Sequence, residues 1–398
     1  MKRNTIQSLQ HALVGRKHLR LFSTAAWLLS AVVLVAAFTG FSSGSASAEN
    51  SPEALRARGL IIAGAEAGRK KSVNYGKPLH HYVFFGMDRE KIKDAKSFLE
   101  TPAFDGAQVA YSWRQLEQGK DNYEFSMIRE DLAFLEAHGK KLWIQIQDVM
   151  FSPRWKPVPN YILSDPQYHG GVDRQYQYKP GDEAHAVAVG GGVARRWDPA
   201  VQERFQKLIL ALGKEFDGRV AGINFEETAA DFGESGRLFP SGFTPEIYRD
   251  AIIANMKVLR RAFPKSVTLV YANFMPGEWR PVNDRGYLRA VYRAARELKV
   301  GVGGPDLLPY KPGQMGSSYS LIREVAGEVP IGIAVQDGNS AHINPKTGKR
   351  VTIAEQIAFA TGYLHADYIF WCTEEPYYSH QVVPFLRRDR KNTSGAQE

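Results

Sequence analysis

Two adjacent glutamates, Glu226 and Glu227, follow directly on the apolar run Val220-Ala221-Gly222-Ile223-Asn224-Phe225. A carboxyl group at the end of such a run is partly desolvated, and a neighbouring acid repels its charge. Both effects raise its pKa and suit it to act as a general acid near neutral pH. Cutting a glycosidic bond needs one such acid to protonate the leaving oxygen, and a second carboxylate as nucleophile or as base for water. Glu226 is the acid/base candidate, with Glu227 its alternate. Asp337, just past the run Ile331-Gly332-Ile333-Ala334-Val335, is the candidate for the second role. The ends of other apolar runs carry side chains suited to hydroxyl-rich ligands: Arg114, Gln145, Gln147, Asn224, Tyr271, Asn273, Gln336, Trp371 and Glu375.

These residues lie far apart in sequence, so an element pattern must bring them together. From residue 79 onward, short β-type runs alternate with amphipathic helical stretches, which argues for parallel strands joined by crossover helices. Eight candidate strands begin near His81, Ala107, Leu142, Val220, Val267, Val300, Ile331 and Tyr368. Helices are expected between them at Met127–His138, Pro199–Phe216, Thr244–Phe263, Tyr287–Leu298 and Ile353–Ala366. Eight such units predict an α/β fold, a (β/α)8 TIM barrel with long βα loops, whose site lies at the C-terminal ends of its strands. An open doubly wound sheet would normally show a Gly-rich strand-to-helix turn near its start. None is present there. The run Gly190-Gly191-Gly192 falls inside the long Phe151–Trp197 segment after the third strand, away from any such turn. That segment is expected to shape the site.

Strand side chains alternate between faces. Parity predicts an inward-facing set of Trp143, Gln145 and Gln147 on strand three, Asn224 and Glu226 on strand four, and Tyr271 and Asn273 on strand five. On strand seven it predicts Gly332, Ala334 and Gln336, and on strand eight Trp371, Thr373 and Glu375. Glu227 has the opposite parity unless the strand bulges.

The first 23 residues are basic and free of acids, Ala25–Phe38 is almost wholly apolar, and Ala46-Ser47-Ala48 follows. This is the order of a secretory signal, with cleavage expected after Ala48; an uncleaved anchor is the alternative. The expected organisation is thus 1–48 signal or anchor, 49–78 extension, 79–390 barrel and 391–398 disordered tail. The protein is expected to be secreted or periplasmic, and membrane-bound only if the anchor persists. The chain's net charge is +9, and Lys2, Arg3, Arg16, Lys17 and Arg20 of the leader contribute to it. There is no basic stripe with interleaved aromatics, so nucleic acid is not an expected partner. A carbohydrate is, including an acidic polysaccharide. Cys372 is the only cysteine and sits in an apolar run, which rules out an intrachain disulfide and a Cys-rich zinc site. No metal or cofactor motif stands out.

The segment Trp113-Arg114-Gln115-Leu116-Glu117-Gln118-Gly119-Lys120-Asp121-Asn122-Tyr123-Glu124-Phe125 resembles the second-strand region of the clan A glycoside hydrolases, TIM-barrel enzymes of the beta-galactosidase and cellulase type. Arg196-Trp197-Asp198-Pro199 before strand four and Trp371 at strand eight are also similar. The resemblance implies a glycosidase with an acid/base glutamate ending strand four beside an asparagine, and a nucleophilic glutamate ending strand seven. The sequence departs from that pattern twice. Phe225 separates Asn224 from Glu226, and strand seven ends in Gln336-Asp337. The second departure motivates a rival expectation: a barrel that binds polysaccharide without cutting it.

Overall fold

The computed structural model describes residues 78–150, 155–178 and 182–394. The expected signal segment, and the extension up to residue 77, lie outside the described residues. Eight parallel strands close a barrel: β1 (His80–Phe84), β2 (Phe104–Ser112), β3 (Lys141–Gln147), β4 (Gly222–Glu227), β5 (Val267–Tyr271), β6 (Gly301–Gly304), β7 (Ile331–Val335) and β8 (Tyr368–Cys372). Each strand pairs with its sequence neighbours, and β8 closes the ring on β1 with His80 opposite Tyr368. Helices α1 (Ser126–Ala137), α2 (Pro199–Phe216), α3 (Pro245–Ala262), α4 (Tyr287–Leu298), α5 (Ser318–Val325), α6 (Ile353–Gly362) and α7 (Val383–Ser394) follow strands β2 to β8 in turn. The first crossover is made of two short turns, Lys91–Asp94 and Lys96–Leu99.

Local chemistry starts the helices where the sequence expects them. Asp198 caps α2 by accepting from the amides of Ala200 and Val201, with Pro199 in the first turn. Thr352 and Glu355 form a reciprocal capping box on α6. That helix stops at Gly362, short of the expected Ala366, and the chain turns through His365 at φ 54°. At the other end of the chain, α7 runs to Ser394.

The barrel interior is filled by bulky side chains from some strands and opened by glycines on others. Tyr82, Trp143, Leu269, Tyr271, Ala334 and Phe370 form this inner cluster. Trp143 meets Phe370 edge-on with ring centroids 4.9 Å apart. Gly222 faces it, and a Cβ there would come within 2.7 Å of the indole ring. Gly303 is tighter still, since an added Cβ would lie 1.6 Å from the Gly332 carbonyl oxygen. Replacing Gly303 with alanine therefore forces β6 away from β7. We expect a loss of at least the ~1–3 kcal/mol typical of overpacked cores, and urea denaturation of the variant measures it.

The inner cluster corrects one expectation. Tyr368 and Phe370 of β8 face inward, so Trp371 faces the helices. It is fully buried there, its indole Nε1 bonded to His81 Nδ1 at 3.1 Å and stacked on the His81 ring. Strand β8 is aromatic on both faces, so polarity could not reveal its parity.

Candidate active site

The two glutamates sit on a β-bulge. Phe225 pairs with Val270 and Glu227 with Tyr271, which leaves Glu226 as the extra residue. A bulge re-aims the side chains around it. Here it allows two consecutive acids to serve the same rim.

Below them lies a sealed polar layer. Asn224 Oδ1 accepts from Gln108 Nε2 and from Trp143 Nε1, each at 2.9 Å, and its own Nδ2 donates to the Phe225 carbonyl. Gln108 Nε2 also donates to the Tyr271 hydroxyl at 3.0 Å. Asn224 and Tyr271 are fully buried, with polar atoms spent on each other's neighbours. They support the rim from beneath and do not line an open sugar site, contrary to expectation.

At the rim, Gln145 Nε2 donates to Glu226 Oε1 at 3.3 Å, while Glu226 Oε2 is buried with no protein partner. Burial holds Glu226 well above the usual carboxylate range. The charges of Asp148 and Glu227 push the same way, and Arg196 and the Gln145 bond oppose them. Glu226 is therefore a buried carboxyl whose surroundings disfavour its charge. Glu227 is partly exposed. Asn273 Nδ2 donates to its Oε2 at 2.5 Å. Its pKa is pushed up to about 7, by burial first and then by the charges of Asp306 and Asp231, against the Asn273 bond and Arg196. Of the two, Glu227 is the group a substrate can reach.

A bidentate ion pair fixes this end of the strand. Arg196 Nε and Nη2 meet the two Asp148 carboxylate oxygens at 2.7 and 2.6 Å. Arg196 Nη1 donates to the Glu227 carbonyl at 3.0 Å and to the Tyr248 hydroxyl at 2.8 Å. The loop after β3 is thereby tied to the bulge.

Asp306, two residues beyond β6, is the carboxylate that sequence reasoning missed. Asn339 Nδ2 donates to its Oδ1 at 2.9 Å, and Asn339 Oδ1 accepts from the amides of Leu307 and Gln336. Burial raises the pKa of Asp306, against the Asn339 bond and Lys311. The signal was available: Asp306 is the first acid after its strand, the criterion that singles out Glu226 and Asp337. Strand β6 is Gly-Val-Gly-Gly, however, and offers no polar parity to follow.

The remaining candidates divide. Gln147, Arg114 and Gln336 are partly exposed at strand ends of the rim. Asp337 is exposed, and its carboxylate gathers with the Cys372 thiol and Glu374. Burial pushes the Cys372 thiol further up, which makes it a packing residue and not a nucleophile. Glu375 is exposed and accepts from the amide and hydroxyl of Ser379, so it caps the turn that leads into α7. Glu117, in the segment that carried the family resemblance, is fully buried. It accepts from Trp113 Nε1 at 2.8 Å, Tyr161 hydroxyl at 2.9 Å and Arg204 Nη2 at 2.5 Å. Its task is to bind the second and third βα loops to α2. An aromatic platform also stands beside Asn273, where Phe274 and the exposed Trp279 stack with planes 5° apart.

No family model matches the chain, and no curated protein matches it. Among solved structures, xylanase 10B of Thermotoga petrophila RKU-1, in complex with xylobiose, is similar at 13% identity and a TM-score of 0.43, covering 74% of this chain and 82% of that one. The catalytic domain of a beta-amylase from Paenibacillus polymyxa is similar at 10% identity and a TM-score of 0.42, covering 74% and 92%. At these identities and scores nothing about substrate or chemistry transfers to this chain.

Proposed function

We propose that the protein is a glycoside hydrolase acting outside the cytoplasm on a poly- or oligosaccharide, with Glu227 as its general acid. The single observation that carries this is the state of Glu227: a partly exposed carboxyl at a barrel rim, oriented by Asn273, with a pKa near 7. Below that pH it holds a proton to give to the glycosidic oxygen as the bond to the anomeric carbon breaks. Asp306, oriented by Asn339, supplies the second carboxylate. It either adds to the anomeric carbon or takes a proton from the water that does. The two outcomes differ in the separation required, about 5–5.5 Å for retention and 6.5–9.5 Å for inversion, and proton NMR of the first-formed anomer distinguishes them. Phe274 and Trp279 offer a flat apolar face for a sugar ring, and Gln147, Gln336 and Arg114 offer polar contacts.

The test is release of reducing ends from a panel of polysaccharides, read as a function of pH. Activity is expected to fall as pH rises through about 7, because Glu227 then loses the proton it must donate. It is expected to fall again in acid as Asp306 becomes protonated, from a point above the usual aspartate range. A rate that climbs steadily from pH 6 to 9 would remove Glu227 as the acid.

One observation favours a second reading. Strand β7 ends in Gln336, and the next residue, Asp337, is drawn toward Cys372 and Glu374. A barrel that binds glycan without cleaving it would show saturable binding in the same panel and no product.

A further inference from the structure

The long loop after β3 and the loop after β4 enclose a second cleft of about 430 Å³, lined by Val172, Asp173, Arg174 and Tyr176 on one side and Arg237 to Pro240 on the other. That volume falls within the ~300–1,000 Å³ of small-molecule sites. Its charge is the informative feature. Arg174 and Arg237 are both exposed. The lining acid, Asp173, is already countered by Arg195, whose Nη1 lies 3.3 Å from Asp173 Oδ2. Outside the lining, the half-buried Glu183 feels the charge of Arg237, but its own oxygens are taken up by the amides of Glu234 and Ser235 and by the Ser235 hydroxyl. Tyr176 and Phe239 add aromatic surface to the same walls. Guanidinium groups and aromatic side chains lining one cleft suit a sugar ring that bears an anionic substituent.

The cleft adjoins the candidate active site. Its two walls are joined where the Tyr176 amide donates to the Asp231 carbonyl at 2.9 Å and the Asp231 amide donates to Gln175 Oε1 at 3.1 Å. Asp231 is four residues past Glu227, and its charge is felt there. A glycan lying across Glu227 and continuing outward over this junction reaches Arg174 and Arg237.

We propose that this cleft binds a negatively charged sugar unit of the polymer being cleaved, so that the substrate is an acidic polysaccharide. The proposal rests on the hydrolase reading above, and binding and cleavage are therefore measured separately. Binding is followed by calorimetry on the full chain carrying Glu227→Gln, which slows turnover. The probes are a uronic-acid hexasaccharide, its carboxyl-reduced neutral copy and a sulfated form of that copy. At least one anionic probe is expected to bind tenfold or more tightly than the neutral one, and which of them does so tells carboxylate from sulfate. Arg174→Gln with Arg237→Gln is expected to abolish the difference while leaving the neutral probe's affinity unchanged, and lysine at both positions to restore most of it. Both arginines are exposed, so thermal unfolding of these variants should match the parent.

Equal affinity for charged and neutral probes, or a preference that survives the double substitution, overturns the proposal. The hydrolase reading fails independently if charged probes bind through the two arginines but the unsubstituted protein releases reducing ends from none of the three. If the neutral copy is cleaved as fast as the charged ones, the hydrolase reading stands and the cleft proposal falls.

Discussion

Glu227→Gln is expected to lower the rate of glycosidic cleavage by about 10²–10⁴-fold, the usual contribution of a positioned general acid, with little change in KM. The amide still accepts a hydrogen bond from Asn273 but has no acidic proton for the leaving oxygen. Glu226→Gln is the control that separates the two glutamates. Glu226 is a buried carboxyl, its pKa raised by burial, whose Oε1 accepts from Gln145, and a glutamine can preserve that contact. Its activity is expected to stay within about tenfold of the parent. The reverse pattern, an inactive Glu226→Gln beside an active Glu227→Gln, would move the proton donor one residue back, to the position favoured by strand parity alone.

The Glu227 substitution has a second readout that does not depend on turnover. The group's pKa rises from 4.5 to about 7 on folding, so the folded state binds more protons than the unfolded state between those values. The stability associated with the neutral carboxyl is present below pH 4.5 and is lost as pH rises through 7. By the usual 1.36 kcal/mol per unit, the parent loses about 3 kcal/mol across that window that the glutamine variant does not. Denaturation midpoints at pH 4.5 and pH 8 should therefore converge in Glu227→Gln relative to the parent. If instead the gap between them is unchanged, the raised pKa is absent.

The barrel was legible because its signals are redundant. Eight apolar runs, capping residues such as Asp198 and Thr352, and helix-length amphipathic spacers all require the same crossovers. The site was legible only in part, and the reasons are local. Parity works where a strand has one polar-tolerant face, as in β3, where Trp143 and Gln145 do face inward. It fails on β8, where both faces are aromatic, and it says nothing on β6, which is nearly all glycine. It also fails at the bulge, since a one-residue insertion into the ladder at Glu226 resets the parity of everything after it. Asn224 shows a different limit. Sequence places a polar side chain inside the barrel but does not say whether its hydrogen bonds are free for a ligand. Here Gln108 and Trp143 have already taken them. Arg196 and Asp148, which hold the bulge in place, stand at opposite ends of the one long loop after β3, 48 residues apart, and had no shared pattern to join them.

That ion pair gives the largest expected effect on stability. Arg196→Met leaves the Asp148 carboxylate buried without its cation, and breaking a buried pair from one side typically costs about 3–5 kcal/mol. For a chain of this size that corresponds to a fall in Tm on the order of 5–10 °C. Removing both charges, Asp148→Asn with Arg196→Met, should recover part of the loss, since no unpaired charge then remains inside. The single variant also reports on the site. Arg196 lowers the pKa of Glu227 and donates to its carbonyl. Without it the proton on Glu227 is held more tightly, so the alkaline limb of activity should shift to higher pH in whatever fraction remains folded. If the Tm falls while that limb stays in place, Arg196 is only a structural tie; if both move, the same guanidinium holds the bulge together and tunes the acid on it.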